Sequence, residues 1–327
     1  MKILSFTPLL MICLLLNGCK HGEGMTPLLI AAHNGKISDV ESLIASGVDV
    51  NQTSIHGWTS LIFAARRGHD DVVEVLLAAG GDPNVVTDKI APGSMATRGG
   101  YFKTTALAES ISNGHLGVAH RLIDNGAVID SLSVALAGKA GDIELLMRLV
   151  DGGADLNRYS QNEFHPSALC ESAETGNLEV VRWLHENGAQ INIVLGRSLP
   201  LKSAIQSKQL DIVLYFLENG ANPNLHFGDP GYHHNTLLGT AVSLRPVDQE
   251  ESDKILKIIN LLVEHGADVS HTNHAGETNL DLVLIRRNNQ QKHSEQSNIH
   301  AGNTNRALIF ENHQEEVMQL LKGMLGL

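Results

Sequence analysis

Histidine, aspartate and cysteine are side chains that can do chemistry, and three places where they stand draw attention. The segment LHFGDPGYHHN carries His226, His233 and His234, with Asp229 between them. Three imidazoles and a carboxylate in so short a loop are donors of the kind that hold zinc. Their spacing matches no standard zinc site, so a solvated loop tip is the competing reading. Cys170, in SALCESAETG, is the second place. A nucleophilic thiolate needs a base and an electropositive setting, whereas Glu171 and Glu174 stand beside it. A semi-buried structural thiol is the expectation. Cys19, which closes an apolar run, is the third. No Gly-x-Ser-x-Gly, P-loop or H-E-x-x-H is present. The sequence therefore assigns no catalytic residue and no cofactor, and the expectation is that the chain is not an enzyme.

The apolar run sets the compartment. After Lys2, residues Ile3 to Leu16 are interrupted only by Ser5, Thr7 and Pro8. A membrane-spanning helix needs about 20 residues, so this run is the size of a signal-peptide core. Leu16-Asn17-Gly18-Cys19 resembles the lipobox of bacterial lipoproteins, with Asn17 departing from the usual small residue. The resemblance implies that Cys19 is lipidated and becomes the N-terminus. Lys20 rather than Asp after it implies the outer membrane, facing the periplasm. An ordinary secretory signal is the alternative. Cys13 would leave with the leader, so Cys170 would be the only free thiol and no intramolecular disulfide could form. The formal charge of -12 over 327 residues repels nucleic acid and anionic lipid faces and favours a basic partner.

The elements that position these residues repeat. TPLLIAAHNGKISDVESLIASGVDVN begins at Thr26, TSLIFAARRGHDDVVEVLLAAGGDPN at Thr59, and TALAESISNGHLGVAHRLIDNGAVID at Thr105. Glycines closing the second helix of each repeat, at Gly47, Gly80, Gly126, Gly153, Gly188, Gly220 and Gly266, are separated by 33, 46, 27, 35, 32 and 46 residues. These segments resemble ankyrin repeats, from Gly24 to about Val283. The resemblance implies an all-α repeat solenoid of stacked helix-turn-helix units joined by hairpin fingers. Thr26 and Thr59 are helix caps and Pro27 suits a first turn. Val72-Val73, Leu76-Leu77 and Val180-Val181 give the outer helices their apolar stripes. No single repeat buries its own face, so stability comes from stacking.

The irregular steps divide the chain. Residues 1–18 are the leader and 19–24 a short tether. Residues 25–287 form about seven repeats with a degenerate eighth. Residues 288–306 are a polar, structureless insert, and 307–327 a capping helix. The excess after Gly80 falls in VVTDKIAPGSMATRGGYFK and reads as an enlarged finger. PVDQEESD reads as an insert splitting the two helices of repeat seven. Ser54 is placed at an exposed finger tip.

Ankyrin proteins bind partners through finger tips and the exposed ends of inner helices. Carried over by position, that face comprises His33, Asn34, Ile55, His56, Trp58, Arg66, Arg67, Ser112, Asn113, Glu174 and Thr175, with Tyr101 and Phe102 on the enlarged finger. Trp58 is either an interface anchor or a core residue, and Arg66-Arg67 either a contact patch or a solvated helix end. The resemblance implies a lipid-anchored protein that binds a protein partner without catalysis. The layout of leader and array is also similar to immunity proteins that sequester secreted lipase-type effectors. A metal carrier or enzyme centred on His226, His233 and His234 is the alternative.

Overall fold

Hydroxyl groups open the inner helices. In the computed structural model the Oγ1 atoms of Thr26, Thr59, Thr105 and Thr236 accept from the N–H groups of Leu29, Ile62, Ala108 and Gly239 at 3.0–3.4 Å. Ser167 does the same for Cys170. Each cap satisfies a backbone donor that a first turn leaves unpaired. Residues 24–87, 103–158, 167–195, 199–227, 236–272, 276–285 and 304–327 are described. The leader with Cys19, Tyr101 and Phe102, His233 and His234, and the polar insert up to 303 lie outside them.

The chain falls into two compact units, and their boundary runs through one helix pair, α7 (Ser131–Ala140) and α8 (Ile143–Asp151). The first unit holds α1 (Pro27–His33), α2 (Ile37–Ala45), α3 (Ser60–Arg67), α4 (Asp70–Ala78), α5 (Ala106–Ser112) and α6 (Leu116–Asp124). Inner helices stack α1 on α3 and α3 on α5; outer helices stack α2 on α4 and α4 on α6. The second unit holds α9 (Ala168–Thr175), α10 (Leu178–Glu186), α11 (Pro200–Gln206), α12 (Leu210–Glu218), α13 (Leu237–Val242), α14 (Gln249–Glu264) and α15 (Thr304–Leu325). Its inner series is α9, α11, α13 and its outer series α10, α12, α14. Among the described residues, extended pairing is limited to isolated bridges such as Thr53–Thr59. The expected all-α solenoid of stacked ankyrin repeats is the observed fold.

Two devices between repeats hold the stack in register. In the first, a histidine that opens an outer helix lies against the turn of the preceding repeat. His69 Nε2 is 3.2 Å from the His33 carbonyl oxygen. The His115 ring fills the space where a Cβ on Gly68 would stand, 2.4 Å from it, and Gly68 has φ +73°. A side chain there would be strained twice over. The second device is a ladder of asparagines in the fingers. Asn51 donates to the Gly80 carbonyl (3.0 Å) and accepts from the Asp82 N–H (2.8 Å). Asn84 repeats this with Gly126 and Val128. In the second unit Asn157, Asn192 and Asn224 do the same with the following finger. Where the finger is shortened, Asp130 instead caps its own helix, accepting from Ser133 N–H at 2.7 Å.

The sequence PVDQEESD lies partly in the link between the two helices of repeat seven, which runs over 243–248 where 34–36 serves in the first repeat, and partly in α14 itself. Asp248 caps α14, accepting from Glu251 N–H at 2.8 Å, and Gln249–Asp253 form the first turns of this 16-residue helix. Lys208 takes the left-handed turn (φ +58°) that glycine supplies in other repeats, and its Nζ donates to Glu251 at 2.5 Å. Helix α15 begins at Thr304 and packs on α14. It buries Phe310, Val317, Met318 and Leu321 together with His313 and Gln314, while Leu308 is exposed.

Candidate protein-interaction surface

Helix α3 carries the site. Phe63, Arg66 and Arg67 lie three and four residues apart and so share one side of the helix. The finger preceding α3 is folded by Ser54. Its Oγ accepts from the His56 and Trp58 N–H groups, both at 3.2 Å, and its own N–H donates to the Trp58 carbonyl at 2.9 Å. Ser54 is therefore not a free tip: it is 8% exposed. This hairpin turns Trp58 inward. The indole is 2% exposed, with its ring centroid 5.0 Å from that of Phe63 and the Arg66 guanidinium carbon 5.4 Å above it. Of the two sequence readings, anchor or core, the structure takes the core. The exposed anchor is corrected for a local reason: Thr59 must cap α3 at the next residue, and the Thr53–Thr59 bridge leaves the intervening ring facing the stack.

What stands outward is cationic. Arg67 is exposed, and its Nε and Nη2 lie 3.2 and 2.9 Å from His33 Nε2. His33 Nδ1 lies 3.3 Å from Asn34 Oδ1. These partners assign the neutral tautomer with the proton on Nδ1. Burial holds the His33 imidazole below its usual range, and the charges of Arg67, His69 and Arg66 push the same way against the Asn34 hydrogen bond. His33 also meets Phe63 edge-on, with centroids 5.6 Å apart. A guanidinium has five N–H donors, so pairing with one nitrogen leaves Arg67 able to bind a further acceptor. Arg66 is more committed, with Nε 3.8 Å from Glu109 Oε2. Burial pushes the Glu109 carboxyl up, and Arg66 opposes that.

The structure therefore brings together His33, Asn34, Trp58, Arg66 and Arg67. It adds Phe63 and Glu109, which the sequence reading left out. The signal for Phe63 was present, as it stands four residues before Arg67 in a helix with a pattern of small residues. Ile55 is 52% exposed and His56 is half-buried on the same finger. Ser112 and Asn113 are exposed at the end of α5, and Asn113 folds back to the Glu109 carbonyl at 2.8 Å. Glu174 and Thr175 are exposed at the end of α9, in the second unit.

The groups first considered for chemistry are placed differently. Cys170 is buried, and that burial pushes its thiol up to about 11. It stays protonated at neutral pH and is no nucleophile. Glu171 beside it is buried too, with Lys139 Nζ 3.3 Å away. His226 is exposed on its finger, its Nε2 3.3 Å from that of His271.

Comparison with known proteins supplies the context. The family model described as ankyrin repeats (3 copies) matches residues 6–87 and 132–226, more than half of the chain. The Ankyrin repeat and KH domain-containing protein mask-1 of Caenorhabditis elegans is 29% identical over 160 residues, which is 42% of this chain and 6% of that protein. The chain thus spans only a small part of the curated relative that it matches. The crystal structure of the human ASB11 ankyrin repeat domain aligns with a TM-score of 0.43 and 25% identity, covering 79% of this chain and 91% of that one.

Proposed function

This chain belongs to the ankyrin-repeat family, and from that premise we propose that it is a non-catalytic scaffold that holds a protein partner on the α1–α3–α5 side of its first unit. Ankyrin repeats generally mediate protein–protein interaction. The observation that carries the site is the Arg67 guanidinium. It is outward-facing, fixed by His33, and backed by an aromatic pair beneath Arg66. A preordered guanidinium loses little rotamer freedom when it meets a carboxylate, which is why arginine is frequent among interface hot spots. The partner surface offers that carboxylate within a face otherwise suited to the acidic charge of the chain.

In this proposal the scaffold is exported and tethered by lipid on Cys19 to the outer membrane, facing the periplasm. The support is the run Ile3–Leu16 followed by Leu-x-Gly-Cys. Immunity against a secreted lipase-type effector is the sharper form of the role, and it rests on this layout of leader and array.

The test of the face uses the partner retained from a periplasmic extract, identified and purified, then titrated calorimetrically. Arg67→Glu is expected to weaken binding at least tenfold, about 1.4 kcal/mol, with an unchanged circular dichroism spectrum. His226→Ala should bind as wild type. Normal binding by Arg67→Glu would move the site elsewhere. The test of the anchor is separate. Cys19→Ser should lose incorporation of labelled palmitate and leave the outer-membrane fraction; persistence of both would end the lipoprotein reading.

A further inference from the structure

His226 and His271 are 45 residues apart in sequence and meet at the tips of successive fingers, both within the second unit. The Asn224 ladder brings them there. Asn224 donates to the Gly266 carbonyl and accepts from the Asp268 N–H, each at 2.8 Å. These bonds lie two residues before His226 and three before His271. The two imidazoles are thus carried by backbone already fixed to one another.

Their separation is informative. The Nε2 atoms are 3.3 Å apart, with ring centroids at 4.7 Å and planes at 58°. The rings are not stacked. Two nitrogens that each sit about 2.0–2.1 Å from one zinc ion at a tetrahedral angle are about 3.3–3.4 Å apart. That is the spacing found here.

The stack itself does not call for histidine. The residues equivalent to His226, two beyond Asn51, Asn84 and Asn192, are Thr53, Val86 and Val194. The fingers fold without imidazoles, so the pair needs another explanation. A cavity of about 280 Å³ opens beside it, lined by Thr236 and Asp268 as well as both rings. Asp268 takes two hydrogen bonds from Ser270, at 2.9 and 2.6 Å, which hold its carboxylate in place.

We propose that His226 and His271 form a two-imidazole site for a late first-row divalent cation, with Zn²⁺ as the reference ion. Imidazole suits zinc, copper and nickel, whereas calcium and magnesium take oxygen donors. Among the described residues no third histidine, cysteine or carboxylate stands close enough to join them. Water therefore fills the remaining positions, and the cavity has room for it. Asp268 supplies negative charge nearby and an acceptor for metal-bound water, the part that outer carboxylates play around metal sites. The bound ion would clip the sixth finger to the seventh and stabilise the folded second unit by mass action. The site is independent of the partner surface in the first unit.

The test is calorimetric titration of chelator-treated protein with Zn²⁺, alongside Co²⁺ absorption spectra. Wild type should show one saturable site, and a melting temperature that rises with Zn²⁺ but not with Mg²⁺. His226→Ala and His271→Ala should each weaken that site at least tenfold while leaving the circular dichroism spectrum intact. His265→Ala, on the neighbouring turn, should bind as wild type. Absence of a saturable site in wild type overturns the proposal. So does wild-type affinity in His271→Ala. Loss of binding only when His233 and His234 are replaced together would move the ligands to the other finger, and would overturn it as well.

Discussion

Trp58→Ala protein is expected to unfold about 3–5 kcal/mol more easily than wild type in urea, the cost of removing a fully enclosed large aromatic. The indole is 2% exposed and fills the space between the first finger and Phe63. Its loss also removes the ring beneath Arg66. The indole N–H is buried without a hydrogen-bond partner among the described residues. Trp58→Phe gives up no hydrogen bond and leaves a smaller cavity than alanine does, so it should cost clearly less than Trp58→Ala. The pair separates packing from binding. If Trp58→Ala is as stable as wild type, the ring does not sit where the structure puts it. If Trp58→Phe binds partner normally, the indole is support for the arginines and not itself a contact.

The second large effect is a loss of stability in acid, centred on His313. This residue of α15 is 0% exposed, and its Nδ1 is 2.8 Å from Ser252 Oγ on α14. Nε2 has no partner among the described residues. Burial pushes the imidazole down to about 4 from an ordinary value of 6.5. The unfolded chain takes up a proton near pH 6.5, and the folded chain only near pH 4. Between those values the unfolded state binds more protons, so stability falls as pH falls across that window. The whole loss is about 3 kcal/mol once pH is below about 4. Buried Glu109 and Glu171, whose carboxyls are pushed up, act in the opposite sense. The comparison is therefore wild type against His313→Gln at each pH, by urea unfolding from pH 7 to pH 4. The variant should show a flatter dependence. Identical slopes for the two proteins would remove His313 as the source.

Much of this protein is decided within a few residues along the chain, and that part is legible from sequence. Thr26, Thr59 and Thr105 cap helices because a hydroxyl reaches an N–H three positions on. Recurring glycines and aliphatic pairs then mark each helix pair, which is why the all-α repeat fold could be read from the sequence alone. The tertiary structure decided everything that depends on which residue of the next repeat stands opposite. Trp58, between Gly57 and Thr59, reads from the sequence as either an interface anchor or a core residue, and the Ser54 hairpin folds it inward. PVDQEESD reads as an insert, and its first residues do lengthen the link before α14, but Asp248 is also a cap and Lys208 reaches Glu251 across 43 residues. The histidines of LHFGDPGYHHN looked like one local cluster; the ring that His226 meets is His271, carried on another finger. The asparagine ladder sets that opposition through paired bonds between repeats. Caps and turns act within four residues, whereas neighbours across the stack are fixed by register, which exists only once the repeats have packed.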